Sequence, residues 1–208
     1  DADELVEVVL GSDADANLLD GLCELLKSIQ ESAGVVKVRE AILARQERAY
    51  GAESKEAGAA LYELGNAYDD LGDHVKHRDA FERVLPIIER EHGSDSTEMG
   101  AVLTVLGHAY GALGDHAKYR DMLERALPVY EREQDSKNVA ITLMNLGSAY
   151  GYLGDQAKAR DSQERALAIQ ERAYGRDHPQ VAITLTNLGI AYGDLGDQAK
   201  KRDMLERA

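Results

Sequence analysis

Six histidines are the side chains in this sequence best suited to chemistry, because a neutral imidazole binds metal ions and moves protons near neutral pH. His74 and His77 are three apart, which puts both on one face of a helix, and His116 follows His74 by 42 residues. Equivalent groups on stacked helices lie on the order of 8–10 Å or more apart, too far to share one ion. His178 reads as a loop cap and His92 as a helix-end residue. Cys23 is the only cysteine, so it forms no intrachain disulfide, and no cysteine–histidine pair accompanies it. Carboxylates are abundant but recur at regular intervals instead of converging. A phosphate-binding glycine loop and a nucleophile elbow are both missing from the sequence. The expectation is a chain with no catalytic residues, no metal and no cofactor.

The elements that must position these groups follow from a repeated string. LG-x-AY-x-x-LGD occurs four times, beginning at Glu63, Val105, Asn145 and Asn187 when the preceding residue is included. Its first glycines, Gly65, Gly107, Gly147 and Gly189, are 42, 40 and 42 residues apart. A period in this range predicts like supersecondary units, each burying its apolar face on its neighbours. Within one unit, Ile183, Leu185, Leu188, Ala191, Tyr192 and Leu195 fall at helical spacing. Gly196-Asp197 then interrupts the stripe, glycine for a left-handed stop and aspartate for the next helix start. Each unit therefore reads as helix, tight turn, second helix and loop. The loop from Tyr174 to Pro179 reads as a helix stop, a cap and a proline in the following first turn. Its counterpart around Gln134-Asp135-Ser136 is two residues shorter.

Composition agrees. The 208 residues include 44% hydrophobic ones, yet no tryptophan and a single phenylalanine, Phe81. The interior must be built from aliphatic residues and tyrosine, and three prolines in all favour helix. The formal net charge is −14, and residues 1–34 carry nine carboxylates against one lysine. Such a balance argues against nucleic acid and anionic membrane as partners. No apolar run reaches membrane-spanning length, and a single cysteine fits a reducing, cytoplasmic setting. The chain lacks an initiator Met and stops within a repeat at Glu206-Arg207-Ala208, so it reads as an excerpt of a longer protein.

The second helices carry charges at intervals of four: Asp79/Arg83, Asp121/Arg125, Asp161/Arg165 and Asp203/Arg207, with Arg78/Glu82, Arg120/Glu124, Arg160/Glu164 and Arg202/Glu206 in the opposite order. These pairs read as a solvated outer face. Residues 13–51 look like a worn first copy, since Gln46 to Gly51 matches Gln170 to Gly175 letter for letter at an offset of 124. Leu22-Cys23 then stands where Leu-Gly stands later, making Cys23 a small packed residue.

These residues resemble the tetratricopeptide repeat (TPR), and more narrowly its 42-residue form found in kinesin light chains. The Leu-Gly-x-x-Tyr core recurs four times, and Asp177-His178-Pro179 is similar to that form's inter-repeat linker. The resemblance covers roughly residues 13–208 and implies an all-α, right-handed superhelical solenoid of antiparallel helix pairs. On this reading residues 1–12 are an acidic N-terminal segment, followed by a degenerate first repeat at 13–54. Full repeats occupy 55–96, 97–136 and 137–178, and a truncated repeat occupies 179–208. The chain departs from the family in several places. The large aromatic of the first helix is Leu61, Leu103, Leu143 and Leu185. The small residue of the second helix survives only as Ala159, replaced elsewhere by His77, Tyr119 and Lys201, which either lie along the surface or spread the helices. Pro86 and Pro128 stand inside second helices and predict a bend there.

The resemblance further implies that the first helices line a concave groove for a partner. Carried over by position, the groove presents Tyr62, Asn66 and Asp70, then Thr104 and His108, then Met144, Asn145, Ser148 and Tyr152, and last Thr186, Asn187, Ile190 and Asp194. Asn145 and Asn187 occupy the slot where some members hold a peptide backbone, a carboxamide offering both donor and acceptor. No lysine or arginine stands among these positions. The expected function is a protein–protein interaction scaffold binding a neutral to basic peptide with apolar residues. The alternative is a structural or sensory repeat segment of a larger signalling protein, working by packing on an attached catalytic domain or by self-association. Leu195, Met204 and Leu205, partly uncovered in the truncated repeat, would then mediate end-to-end homo-association.

Overall fold

The computed structural model of the chain describes residues 2–11 and 16–208. Its described residues form eleven α-helices and no strand, and the chain divides into two compact units between Ser94 and Asp95. The first unit holds α1 (Ala2–Leu10), α2 (Ala16–Ser28), α3 (Ser32–Tyr50), α4 (Lys55–Leu71) and α5 (His74–His92). The second holds α6 (Thr97–Ala112), α7 (His116–Arg132), α8 (Ser136–Tyr152), α9 (Gln156–Tyr174), α10 (Pro179–Asp194) and α11 (Gln198–Arg207).

Within each unit consecutive helices pack on one another. The LGD turn explains why the pairs form. Gly72, Gly114, Gly154 and Gly196 all take φ of +80 to +85°, a conformation that costs a residue with a Cβ about 1 kcal/mol or more. The next residue caps the following helix. Asp73, Asp115, Asp155 and Asp197 accept through Oδ1 from the backbone N–H of Lys76, Lys118, Lys158 and Lys200 at 3.0–3.1 Å. Between pairs, Ser54 and Ser96 cap α4 and α6, and His178 caps α10 by accepting through Nδ1 from Gln180 N–H at 3.2 Å. In the shortened loop Gln134 must take the left-handed turn itself, at φ +55°.

The leucines that replace the family's aromatic fill the interior: Leu61, Leu103, Leu143 and Leu185 are all buried. In the first unit the acidic opening segment forms α1, whose Val6 is fully buried. A Cβ on Gly34 would stand 3.2 Å from Leu26 and 3.6 Å from Val6, so bare backbone lets the three approach. Cys23 is buried in α2, and burial pushes its thiol above the ordinary value. The helices α5 and α7 continue through Pro86 and Pro128 without interruption.

Two expectations need correction. Asp79, Asp121 and Asp161 pair with the arginine immediately before them, Arg78, Arg120 and Arg160. Arg83, Arg165 and Arg207 instead reach the previous second helix, at Glu47, Glu131 and Glu171. Of the eight pairs read at intervals of four, Arg78–Glu82, Arg120–Glu124 and Asp203–Arg207 do approach, at 3.9–4.0 Å. The spacing of the repeat brings a glutamate of the previous second helix to Arg83, Arg165 and Arg207 at 2.5–2.7 Å. Met204, expected to be partly uncovered, packs into a cluster with Leu185, Leu188 and Tyr192, whereas Leu195 and Leu205 are exposed.

Candidate functional site

In the second unit the repeat brings α6, α8 and α10 to one face. The last two touch directly, and α6 joins α8 through His108, whose Nε2 lies 2.9 Å from Asn145 Nδ2. With the carboxamide donating, the imidazole accepts on Nε2 and carries its proton on Nδ1.

Two adjoining hollows open here, each about 280 Å³. One is lined by Gly147, Ser148, Gly151, Tyr152, Gln156, Gln163, Asn187, Ile190, Ala191 and Asp194. The other is lined by His108, Gly111, Ala112, His116, Tyr119, Ser148 and Tyr152. Ser148 and Tyr152 border both. The Tyr152 ring is 69% exposed and stacks on His116 at 4.3 Å and 12°. Burial, and then the neighbouring Tyr152, push the Tyr119 phenol up to about 12.

Residues eight apart explain the first hollow. In the first full repeat, His77 turns Nδ1 to within 3.1 Å of Asp69 Oδ1. In the next, the Tyr119 ring lies 3.2 Å from where a Cβ on Gly111 would stand. In the last, the Lys201 stem lies 2.8 Å from the same point on Gly193. Only the third repeat combines glycine with a small partner, Gly151 with Ala159, and nothing comes within 4 Å of the place a Cβ would take. His77 and Tyr119 are thus buried space-fillers, not residues lying along the surface.

Gln163 adds polarity. Its counterparts at the repeat offset are Phe81, Leu123 and Leu205. Its side chain lies over Gly147, with Nε2 2.5 Å from where a Cβ would stand, and is 1% exposed. Nε2 donates to Met144 O at 3.0 Å, while Oε1 is buried without a hydrogen-bond partner. An acceptor left so costs roughly 1–3 kcal/mol.

The sequence-predicted groove residues separate into groups. Ser148, Tyr152, Asn187, Ile190 and Asp194 meet at the first hollow, and His108 joins Ser148 and Tyr152 at the second. Asn145 is engaged with His108. Thr104 and Thr186 donate to backbone carbonyls of their own helices, at Gly100 and Ala182. Met144 offers its carbonyl to Gln163 and to Ser148. Tyr62, Asn66 and Asp70 belong to the first unit, where Tyr62 meets Phe81 edge-on at 5.0 Å. Sequence reasoning did not place Gln156, Gln163, His116 or Tyr119 at the site. The available signal was Gln163 itself, a polar residue at a position otherwise held by Phe or Leu.

Neither hollow is lined by a lysine or arginine. Among the described residues no three His, Cys, Asp or Glu side chains gather as a metal ion requires, and no helix is long and apolar enough to cross a membrane.

Helix pairs joined by glycine–aspartate turns and repeated in register define an all-α repeat protein. The chain belongs to the tetratricopeptide repeat family, whose pattern matches residues 59–132 and 138–208. Among solved structures it is similar to TPR-like repeats assigned to a Podosopora anserina kinesin light chain, at 22% identity, TM-score 0.79, and coverage of 91% of this chain and 90% of that one. It is also similar to BtubC from P. vanneervenii, at 22% identity, TM-score 0.77 and coverage of 99% and 83%. YrrB, described as a TPR protein with an unusual peptide-binding site, aligns at 18% identity and TM-score 0.66 over 100% and 91%. No curated protein matches the sequence. Likenesses at this identity establish the fold, and the family's repeats serve in general as protein-interaction scaffolds.

Proposed function

We propose that the face formed by α6, α8 and α10 binds an extended peptide segment of a protein partner, neutral to basic and carrying apolar residues. One observation carries this reading: two hollows adjoin along the face with an exposed aromatic ring, Tyr152, between them. Exposed aromatic and aliphatic side chains beside carboxamides suit a peptide, whose side chains need apolar contact and whose backbone needs donors and acceptors. Ile190, 54% exposed, supplies further apolar contact, and Asn187 the carboxamide. The solved structure of YrrB, with its peptide-binding site, supports the same use of the fold.

The test is a random peptide library selected on the chain, with the bound peptides mapped by amide chemical shifts. Shifts concentrated on α6, α8 and α10, and lost in Tyr152→Glu, are the expected result. Shifts confined to α7 and α9 would overturn the reading.

A second reading, self-association, draws on Leu195 and Leu205, each more than two-fifths exposed in the last helix pair. Sedimentation velocity across a concentration series tests it, and a constant monomer would exclude it.

A further inference from the structure

We infer that the hollow over Gly151 is a subsite for one basic side chain, a lysine or arginine of the bound peptide. The inference rests on the groove reading above and adds the chemistry of one position. Three features support it.

The first is internal. In the fourth repeat the Lys201 stem lies across Gly193, in the place that stands empty over Gly151. The same fold thus already seats an alkylammonium side chain in the corresponding slot. The third repeat, with Ala159 there, leaves the slot for a side chain from outside.

The second is the unpaired acceptor. Gln163 lines the hollow, and its Nε2 is committed to Met144 O. That bond fixes the orientation of the carboxamide, so Oε1 is the atom lacking a partner and can only accept. A buried acceptor of this kind calls for a donor, and lysine and arginine bring the most N–H groups of any side chain. The third is charge. Asp194 borders the hollow, Ser148 and Asn187 add oxygen acceptors, and no cationic residue lines it. An anionic side chain would find no countercharge there. A neutral aliphatic one would leave Asp194 without a countercharge.

The experiment titrates the isotope-labelled chain with the N-acetyl, N-methylamide derivatives of lysine and arginine, with norleucine as the uncharged control, each to about 20 mM because one side chain supports only roughly millimolar affinity. The expected result is shifts at Gly147, Gly151 and the Gln163 side-chain amide with lysine or arginine, weakened at least about fivefold by norleucine or by added salt. Ala159→Lys, which fills the slot as Lys201 does in the next repeat, should abolish them. Gln163→Leu, the residue found at positions 123 and 205, serves as a second variant and should weaken binding without unfolding the chain. Equal response to norleucine, retained shifts in both variants, or no response at all would overturn the subsite. If library peptides still perturb α6, α8 and α10 in that case, the groove reading stands and only this inference fails. If neither peptides nor amino-acid derivatives act there, both fail.

Discussion

The Tyr192 hydroxyl donates a hydrogen bond to the Glu164 carboxylate, tying α10 to the second helix of the preceding repeat. The same bond joins Tyr150 to Glu124 and, at 2.6 Å, Tyr68 to Glu40. Over each ring sits the lysine from the start of the following helix: Lys76 over Tyr68 at 5.0 Å, Lys158 over Tyr150 at 5.1 Å and Lys200 over Tyr192 at 4.7 Å. Tyr68, Tyr150 and Tyr192 are thus clamps between repeats. Each ring packs within its own helix pair while its hydroxyl reaches the pair before. Burial, and then the bond to Glu164, push the Tyr192 phenol from its ordinary 10.0 up to about 12.

Removing the hydroxyl should expose that coupling. Tyr192→Phe is expected to cost about 1 kcal/mol in urea unfolding, the usual worth of such a bond when part of it faces solvent. The pH dependence has a definite sign. A phenol held protonated in the fold contributes stability that is complete below pH 10 and is lost as pH rises from there through about 12. Alkaline titration of the unfolding midpoint should therefore fall less steeply in the Phe variant than in the parent. Identical slopes would show that the hydroxyl is not coupled to folding.

His77 predicts the opposite end of the pH scale. Burial holds its imidazole below the ordinary 6.5, outweighing the raising influence of Asp69, and His74 stands 3.5 Å from the same carboxylate. A depressed value means the unfolded chain binds the proton more readily. The stability tied to the neutral ring is full above pH 6.5 and declines as pH falls through the value held in the fold. His77→Gln, which removes the titrating ring and keeps a polar group beside Asp69, should flatten the loss of thermal stability between pH 7 and 5. An unchanged acid slope in that variant would assign the loss to other groups.

Gln134 offers a test of backbone strain. It holds φ of +55° at the end of α7, whereas Gly72, Gly114, Gly154 and Gly196 take the left-handed stop after α4, α6, α8 and α10. Gln134→Gly should raise stability by about 0.5–1 kcal/mol, because the left-handed turn then carries no Cβ penalty, even after the unfolded chain gains freedom. Thermal unfolding of the variant measures the difference directly, and destabilisation would show that the glutamine side chain contributes something the φ angle hides.

The turns were legible in the sequence because their causes are local: Gly154 and Asp155 fix a left-handed stop and an N-cap with no help from distant residues. The buried leucines were legible for the same reason, as was the family, since four copies in register leave little choice. Arg165 shows where such reading stops. Asp161 stands four residues before it in the sequence, yet its guanidinium pairs with Glu131 of α7, a choice that depends on how neighbouring helices are spaced. The hollow over Gly151 shows it again. Ala159 is visible in the sequence as the sole small residue at its position, but that the vacancy borders Asn187 and Gln163 depends on how α8, α9 and α10 pack. Asn145 was read as a rung equivalent to Asn187, and its engagement with His108 became visible only in three dimensions.

That difference between the two asparagines can be measured. Asn187 borders the first hollow, whereas Asn145 shares its amide with His108 Nε2. A peptide that pairs with both carboxamides must displace or share the imidazole at one of them. With groove-selected peptides, Asn187→Ala should weaken binding by roughly five- to tenfold, the loss of about one hydrogen bond, and leave the unfolding midpoint in place. Asn145→Ala should have a smaller effect, because the peptide gains back access to His108 as the carboxamide is lost. His108→Ala should tighten binding through the freed Asn145 or leave it unchanged. Isothermal titration of the three variants with one peptide decides the order. Equal losses at both asparagines would mean that the bond to His108 does not compete with the ligand.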